Sequence, residues 1–152
     1  MIRRAHQIAV SIFLEETGAL GITNRQYGIL LVLKHRPGID QITVAKLLGL
    51  DRSTTGMVLN KLERDGLIGR VVGANDRRKR SLKLTPAGAR MLRRLAAPAR
   101  RAQERVLSAF MPSERKLFLH LLDKFARAFN DTTRVPRMVQ GAEPKNLRAR
   151  NP

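Results

Sequence analysis

The chain contains no cysteine and no tryptophan. Lacking cysteine, it has no structural disulfide, no thiolate metal site and no thiol redox switch. Aromatic residues make up only 4% of it, and acids are scarce, with 12 Asp+Glu against 30 Lys+Arg. No apolar run approaches the roughly 18 residues of a membrane-spanning helix. The start is basic at Arg3 and Arg4, but the apolar run behind it is interrupted by Ser11 and closed by Glu15 and Glu16. With no small-residue cleavage site either, no signal peptide is expected and the default compartment is the cytoplasm. His6, His35 and His120 lie too far apart in sequence for a local metal motif. There is no glycine-rich phosphate loop and no pair of acids near a histidine, so no catalytic residue, metal or cofactor is expected and the chain does not read as an enzyme.

What is present is positive charge and helical patterning. The 152 residues carry a net charge of +18, and 43% of them are hydrophobic. That length suits one domain burying roughly two thirds of its unfolded surface. A charge excess of this size points to a polyanion, because each neutralised phosphate releases condensed counterions. Nucleic acid is the first candidate and an anionic membrane surface its rival.

Residues 2–20 repeat Ile2, Ala5, Ala9, Ile12 and Phe13 near helical period, and Gly18 and Gly21 end the pattern. Met1 already lies inside it, which leaves little room for a preceding element and leaves open whether N-terminal residues are missing. Thr23 or Asn24 can cap a second helix to about residue 36, apolar nearly all round and therefore central. Pro37 and Gly38 stop it, and Asp40, Gln41 and Ile42 read as an extended link. Residues 44–50 read as a short helix with Val44, Leu47 and Leu48 inward and Gly49 at the turn. Asp51 or Ser53 caps the next helix, to about residue 64, with Met57, Val58, Leu59 and Leu62 supplying its inward face and Met57 or Leu59 at the edge of it. Residues 67–72 and 79–84 read as a hairpin whose tip bears Arg77, Arg78, Lys79 and Arg80. Thr85 and Pro86 start a long helix to about residue 110, bent at Pro98. A last helix runs to about residue 130 with an apolar stripe of Leu117, Phe118, Leu121, Leu122, Phe125 and Phe129, wider than one small domain hides. Residues 131–152 read as a basic, weakly ordered tail.

Two helices and a tight turn followed by a basic hairpin describe a winged helix-turn-helix. The first turn of the second helix meets base edges in the major groove. It offers Arg52, a bidentate donor, and the hydroxyls of Ser53, Thr54 and Thr55, the last equally suited to capping. Asn60 and Lys61, two turns along, suit phosphates. The tip cations can reach an adjacent minor groove, and Asp76 is suited to holding the loop by pairing with a neighbouring arginine.

Residues 23–90 resemble the MarR family of winged helix-turn-helix regulators. The likeness rests on Pro37-Gly38, on Thr43-x-Ala45-x-x-Leu48-Gly49-Leu50-Asp51-x-Ser53-Thr54 and on Leu62-Glu63-x-x-Gly66-Leu67-Ile68-x-Arg70. It continues in Asp76-Arg77-Arg78 and Leu84-Thr85-Pro86-x-Gly88. The resemblance implies a single MarR-like domain over 1–130, in which helices of 1–20 and 86–130 form a homodimer through Leu117, Leu121, Phe125 and Phe129. It implies a pseudopalindromic double-stranded operator with half-sites about one helical turn apart. It adds Arg70 to the DNA-facing set and makes Asp76 the holder of Arg78, or of Arg77 beside it. Similar regulators bind small aromatic or anionic molecules, including aromatic acids and their acyl-CoA thioesters. Here His6, Ala9, Val10, Phe13 and Tyr27, with Arg94 or Arg101, are the candidate slot and carboxylate clamp; as core or dimer residues, His6 and Tyr27 would need no ligand. The expected function is a homodimeric repressor released by such a ligand. The alternative is an effector-independent architectural or general nucleic-acid binder.

Overall fold

The computed structural model describes residues 1–72 and 80–128. The order is α1 (Ile2–Thr17), α2 (Asn24–His35), α3 (Gln41–Leu48), α4 (Arg52–Arg64), β1 (Ile68–Val72), β2 (Arg80–Leu84), α5 (Pro86–Leu107) and α6 (Pro112–Ala128). The fold is mostly α with one antiparallel hairpin, as expected. Asp76, Arg77, Arg78, Lys79 and Phe129, together with the tail from 131 on, lie outside the described residues, as does the side chain of Arg80.

Helix α2 is the hub. Its N-terminus is closed reciprocally: Gln26 N donates to Thr23 Oγ1 at 3.3 Å, and Thr23 N donates to Gln26 Oε1 at 2.8 Å. Two of the four orphan amides of a helix start are thereby satisfied. Ile29, Leu30, Val32 and Leu33 of α2 are buried with Val44 and Leu47 of α3 and Leu59 and Leu62 of α4. Ile68, Leu82, Leu92 and Leu95 complete the same core from the hairpin and α5. Each fully buried aliphatic side chain contributes about 2 kcal/mol, so this core holds the reading unit in place.

Two expectations about this unit are corrected. Helix α3 begins at Gln41, three residues before Val44, because Asp40 is its cap: Asp40 Oδ1 accepts from Thr43 N at 2.7 Å. The extended residue is Ile39 instead. Its carbonyl accepts from Leu82 N at 2.8 Å, and Gly38 N donates to Leu82 O at 2.9 Å, so this segment borders β2. The second correction concerns Met57, which is 64% exposed and not part of the inward face. Thr55 takes that place, fully buried with Leu59 and Leu62, since positions i, i+4 and i+7 share one helical face. The turn between α3 and α4 uses Gly49 at φ 64°, a left-handed conformation that a Cβ would penalise.

β1 and β2 pair with Ile68 opposite Leu84 and Val72 opposite Arg80. The chain then enters α5 through a tight junction. Thr85 Oγ1 accepts from Gly88 N at 3.0 Å and donates to Gly66 O at 2.6 Å, while Thr85 N donates to Leu67 O at 3.1 Å. Helix α5 runs as one helix through Pro98 and ends at Leu107, short of the expected residue 110. Helix α1 lies along it. Arg101 Nε meets Glu16 Oε2 at 2.9 Å, and Arg105 Nη1 meets Glu15 Oε2 at 2.6 Å. Helix α6 buries none of its residues, and Leu117, Leu121 and Phe125 are 57%, 51% and 55% exposed. Among the described residues no helix is long and apolar enough to cross a membrane.

A Cβ added at Gly88 would stand 2.0 Å from Leu67 O. Neither backbone can yield without opening the junction, so Gly88→Ala is expected to destabilise the protein by about 3 kcal/mol. Urea unfolding at a fixed protein concentration measures this; a midpoint equal to wild type would show that the junction relaxes freely.

Candidate nucleic-acid interface and effector cleft

The recognition helix is α4, and its start is held by a carboxylate. Asp51 Oδ1 accepts from Thr54 N at 2.8 Å. Hydrogen bonds from the Thr54 hydroxyl and then from its backbone N–H hold the Asp51 carboxyl below the usual carboxylate range. The folded value lies below the unfolded one, so this cap contributes fully above about pH 4 and is lost as pH falls through the depressed value. The Thr43 backbone N–H and then its side chain do the same for Asp40 at the start of α3.

This capping sorts the four expected groove residues. The side chains of Arg52 and Ser53 are exposed, Thr54 is half-buried against Asp51, and Thr55 is buried. Thr55 Oγ1 donates to Asp51 O at 2.8 Å. It therefore cannot meet a base, and its place in the DNA-facing set is withdrawn. Gln41, in the first turn of α3, sits beside this turn with Nε2 donating to Arg52 O at 3.4 Å. It is a polar side chain that only the corrected start of α3 brings to the recognition helix.

Farther along α4, Lys61 Nζ is 2.9 Å from Asp65 Oδ1. Asn60 is exposed, and its Oδ1 accepts from Arg70 Nη2 at 2.6 Å. Arg70 Nε also lies 3.2 Å from Glu63 Oε2. Thus Arg70, Asn60 and Lys61 all have intramolecular partners, whereas Arg52 and Ser53 have no side-chain partner among the described residues.

A cleft of about 650 Å³ opens between α1, α2 and α5. Five of the seven expected slot residues line it: His6, Ala9, Val10, Phe13 and Tyr27. The Phe13 and Tyr27 rings are 5.3 Å apart and tilted by 37°. Burial raises the Tyr27 pKa, so the phenol stays protonated and can donate.

The two expected clamp arginines are not at this cleft. Helix α5 presents Leu92, Ala96, Ala99, Gln103 and Val106 to it. Arg94 stands two residues from both Leu92 and Ala96, about 200° round the helix, and Arg101, though flanked by the lining residues Arg100 and Ala102, is paired with Glu16. The cations at the rim are Lys34 and Arg100 instead. Arg100 holds only a loose, exposed pair with Glu104 at 3.6 Å, which a ligand carboxylate can replace. A second hollow of about 450 Å³ shares His6, Val10 and Asn24 with the first and is closed by Met57, Val58 and Lys61 of α4. The recognition helix thus lines a hollow that adjoins the cleft.

A helix-turn-helix with its second helix exposed at the N-terminus, a hairpin behind it and a lone cationic Arg52 at the tip define a winged helix-turn-helix DNA-binding protein. The comparisons with known proteins narrow the class. The MarR family profile matches residues 20–79. A putative transcriptional regulatory protein for the hcr operon of Thauera aromatica is 33% identical over 112 residues, covering 74% of this chain and 68% of that protein. The transcriptional repressor CouR, solved bound to a 23-mer DNA duplex, superposes with a TM-score of 0.77 at 31% identity, covering 83% of this chain and 89% of that one. BpsR of Bordetella bronchiseptica, solved in connection with regulation of its DNA binding by 6-hydroxynicotinic acid, gives 0.76 at 26% identity and covers 82% and 89%. The chain belongs to the MarR family of transcriptional regulators.

Replacing Thr55 by valine keeps its volume and removes only the hydroxyl. On a duplex enriched from a random pool by the wild-type protein, Thr55→Val is expected to bind within about twofold of wild type. Arg52→Ala is expected to lose about tenfold or more, since one good base contact is worth about 1–3 kcal/mol. Fluorescence anisotropy reads both; a large loss in the valine variant would return Thr55 to the DNA-facing set.

Proposed function

We propose that this regulator is a homodimeric repressor, acting in the cytoplasm, that releases a pseudopalindromic operator when a small aromatic or otherwise apolar anion enters the cleft. The observation that carries the reading is the cleft's position. It is walled by α1 and α5 on one side and by Tyr27 and Leu31 of the reading unit on the other. Its chemistry fits such a ligand: the Phe13 and Tyr27 rings for an apolar body, and Lys34, Arg100 and the Tyr27 hydroxyl for a carboxylate. The control of BpsR by an aromatic acid and the repressor role of CouR support it.

The dimer rests on α6. Its exposed Leu117, Leu121 and Phe125 form a long apolar face, and a second copy of the same helix is the self-complementary surface that covers it. In this reading the major-groove contacts come from Arg52 and Ser53, with Asn60 and Lys61 meeting the duplex farther along the same helix. The minor-groove contacts are assigned to the side chains of Arg77, Arg78, Lys79 and Arg80. The effector-independent alternative has one observation in its favour. Arg90, Arg93 and Arg94 are exposed on α5 with no ion-pair partner among the described residues, a charge that serves any polyanion.

Three measurements test the reading. Titrating aromatic acids and acyl-CoA thioesters into the protein–duplex complex is expected to yield at least one that weakens binding about tenfold, the scale of a coupling near 1.4 kcal/mol. Arg100→Ala and Lys34→Ala are then expected to raise the ligand concentration required while leaving DNA affinity unchanged. No response to any ligand, with binding to scrambled DNA within a few-fold of the selected duplex, would support the general binder. For the dimer, sedimentation of the Leu121→Glu, Phe125→Glu double variant is expected to show a monomer that has lost tight binding. For the wing, Arg78→Ala is expected to lower the salt slope by about one unit or less.

A further inference from the structure

The pair that joins α4 to the wing does more than neutralise charge. Asn60 and Glu63 are three residues apart on α4 and so face the same way. Arg70 leaves β1 two residues after Ile68, on the same strand face, and its fork closes on both: Nη2 to Asn60 Oδ1 at 2.6 Å and Nε to Glu63 Oε2 at 3.2 Å. Its guanidinium side chain is 23% exposed, against 50% or more for every other arginine that forms an ion pair in the described structure. Such a group is poorly placed to reach a phosphate.

The bond also settles how Asn60 presents itself. Guanidinium nitrogens only donate, so the amide atom that meets Arg70 must be the oxygen, and the Nδ2 donors are turned away from it. Asn60 is exposed on the recognition helix, so those donors are directed outward. A carbonyl oxygen already engaged at 2.6 Å disfavours the bidentate adenine contact, which requires the same oxygen to accept from the base.

We propose that Arg70 is a positioning residue for DNA reading and not itself a phosphate contact: it locks the recognition helix to the wing and fixes Asn60 as an outward donor. The two groove-reading elements then move as one body. The inference rests on the operator reading above, and its test separates the two. Binding of the wild-type protein to the selected duplex establishes that reading before any variant is compared.

The experiment measures anisotropy of Arg70→Ala, Arg70→Lys, Asn60→Ala and the Arg70→Ala, Asn60→Ala double variant on the selected duplex and on a scrambled one, across a salt series. Arg70→Ala is expected to lose about tenfold on the selected duplex, the scale of a charged hydrogen bond, and to change less than about twofold on the scrambled one. Its salt slope is expected to match wild type. Arg70→Lys keeps the charge but cannot span both acceptors, so it is expected to behave as the alanine variant. The double variant is expected to lose no more than the worse single one, because the two residues act through one contact. A phosphate contact would give the opposite pattern: equal losses on both duplexes, a slope lower by about 0.9, and losses in the double variant that multiply. Wild-type binding by Arg70→Lys would equally overturn the proposal. Thermal melting of each variant separates lost reading from lost folding; should Arg70→Ala melt, the lysine variant carries the same decision.

Discussion

The arrangement depends on one close contact, where the first turn of α5 rests on the start of the hairpin. Thr85 bonds both Gly66 and Leu67 through its hydroxyl and its amide, and Gly88 comes so near the Leu67 carbonyl that no side chain fits between them. Residues 66 and 67 directly follow α4, while α5 carries Leu92, Ala96, Ala99, Gln103 and Val106 along the cleft. The recognition helix and the cleft wall are therefore joined by one junction that has no slack. A tilt of α5 would be delivered to the reading unit, because packed cores rearrange between discrete states more readily than they deform.

The scarce acids are spent on geometry. Asp40 and Asp51 cap the two helices of the reading motif, Asp65 holds Lys61, Glu63 holds Arg70, and Glu15 and Glu16 bind α1 to α5 through Arg101 and Arg105. Exposed pairs of this kind are worth little individually. Their effect is to decide which cations are occupied and which stay open to a polyanion. The side chain of Arg52 at the tip of α4 has no partner among the described residues, and its neighbour Asp51 accepts from the Thr54 amide.

Much of this was legible in the sequence. Helical period, the Thr23 and Thr85 caps and the stops at Gly49 and Gly66 place the elements within a few residues, since each signal acts locally. Five cleft residues were also legible, because His6, Ala9, Val10 and Phe13 share a face of one helix. The failures have physical reasons. Asp40 reads as link or cap equally well until its Thr43 bond is seen. Thr55 has groove chemistry but a core position, and position prevails because a buried hydroxyl can be satisfied by Asp51 O one turn back. Charge alone does not separate Arg94 and Arg101 from Arg100, whereas the packing of α5 brings Arg100 to the rim together with Lys34 from another helix. The Arg70 contact spans ten residues across two elements, and no local pattern encodes it.

The two hollows sharpen what an effector must do. A ligand shifts an equilibrium only by its differential affinity for the two states. One filling only the space between Phe13, Tyr27 and α5 would act on the reading unit through α2 and the Thr85–Gly88 junction. One extending past His6 and Val10 would also touch Met57 and Lys61 on the recognition helix directly. Lys61 is held by Asp65 across one helical turn and is exposed, so a ligand anion there competes with the same ammonium that suits a DNA phosphate. Ligand length would then set the strength of the response, through a second term that shorter molecules lack. Because Arg70 ties α4 to β1, either route would displace the two elements together, and loss of register at one groove would entail loss at the other.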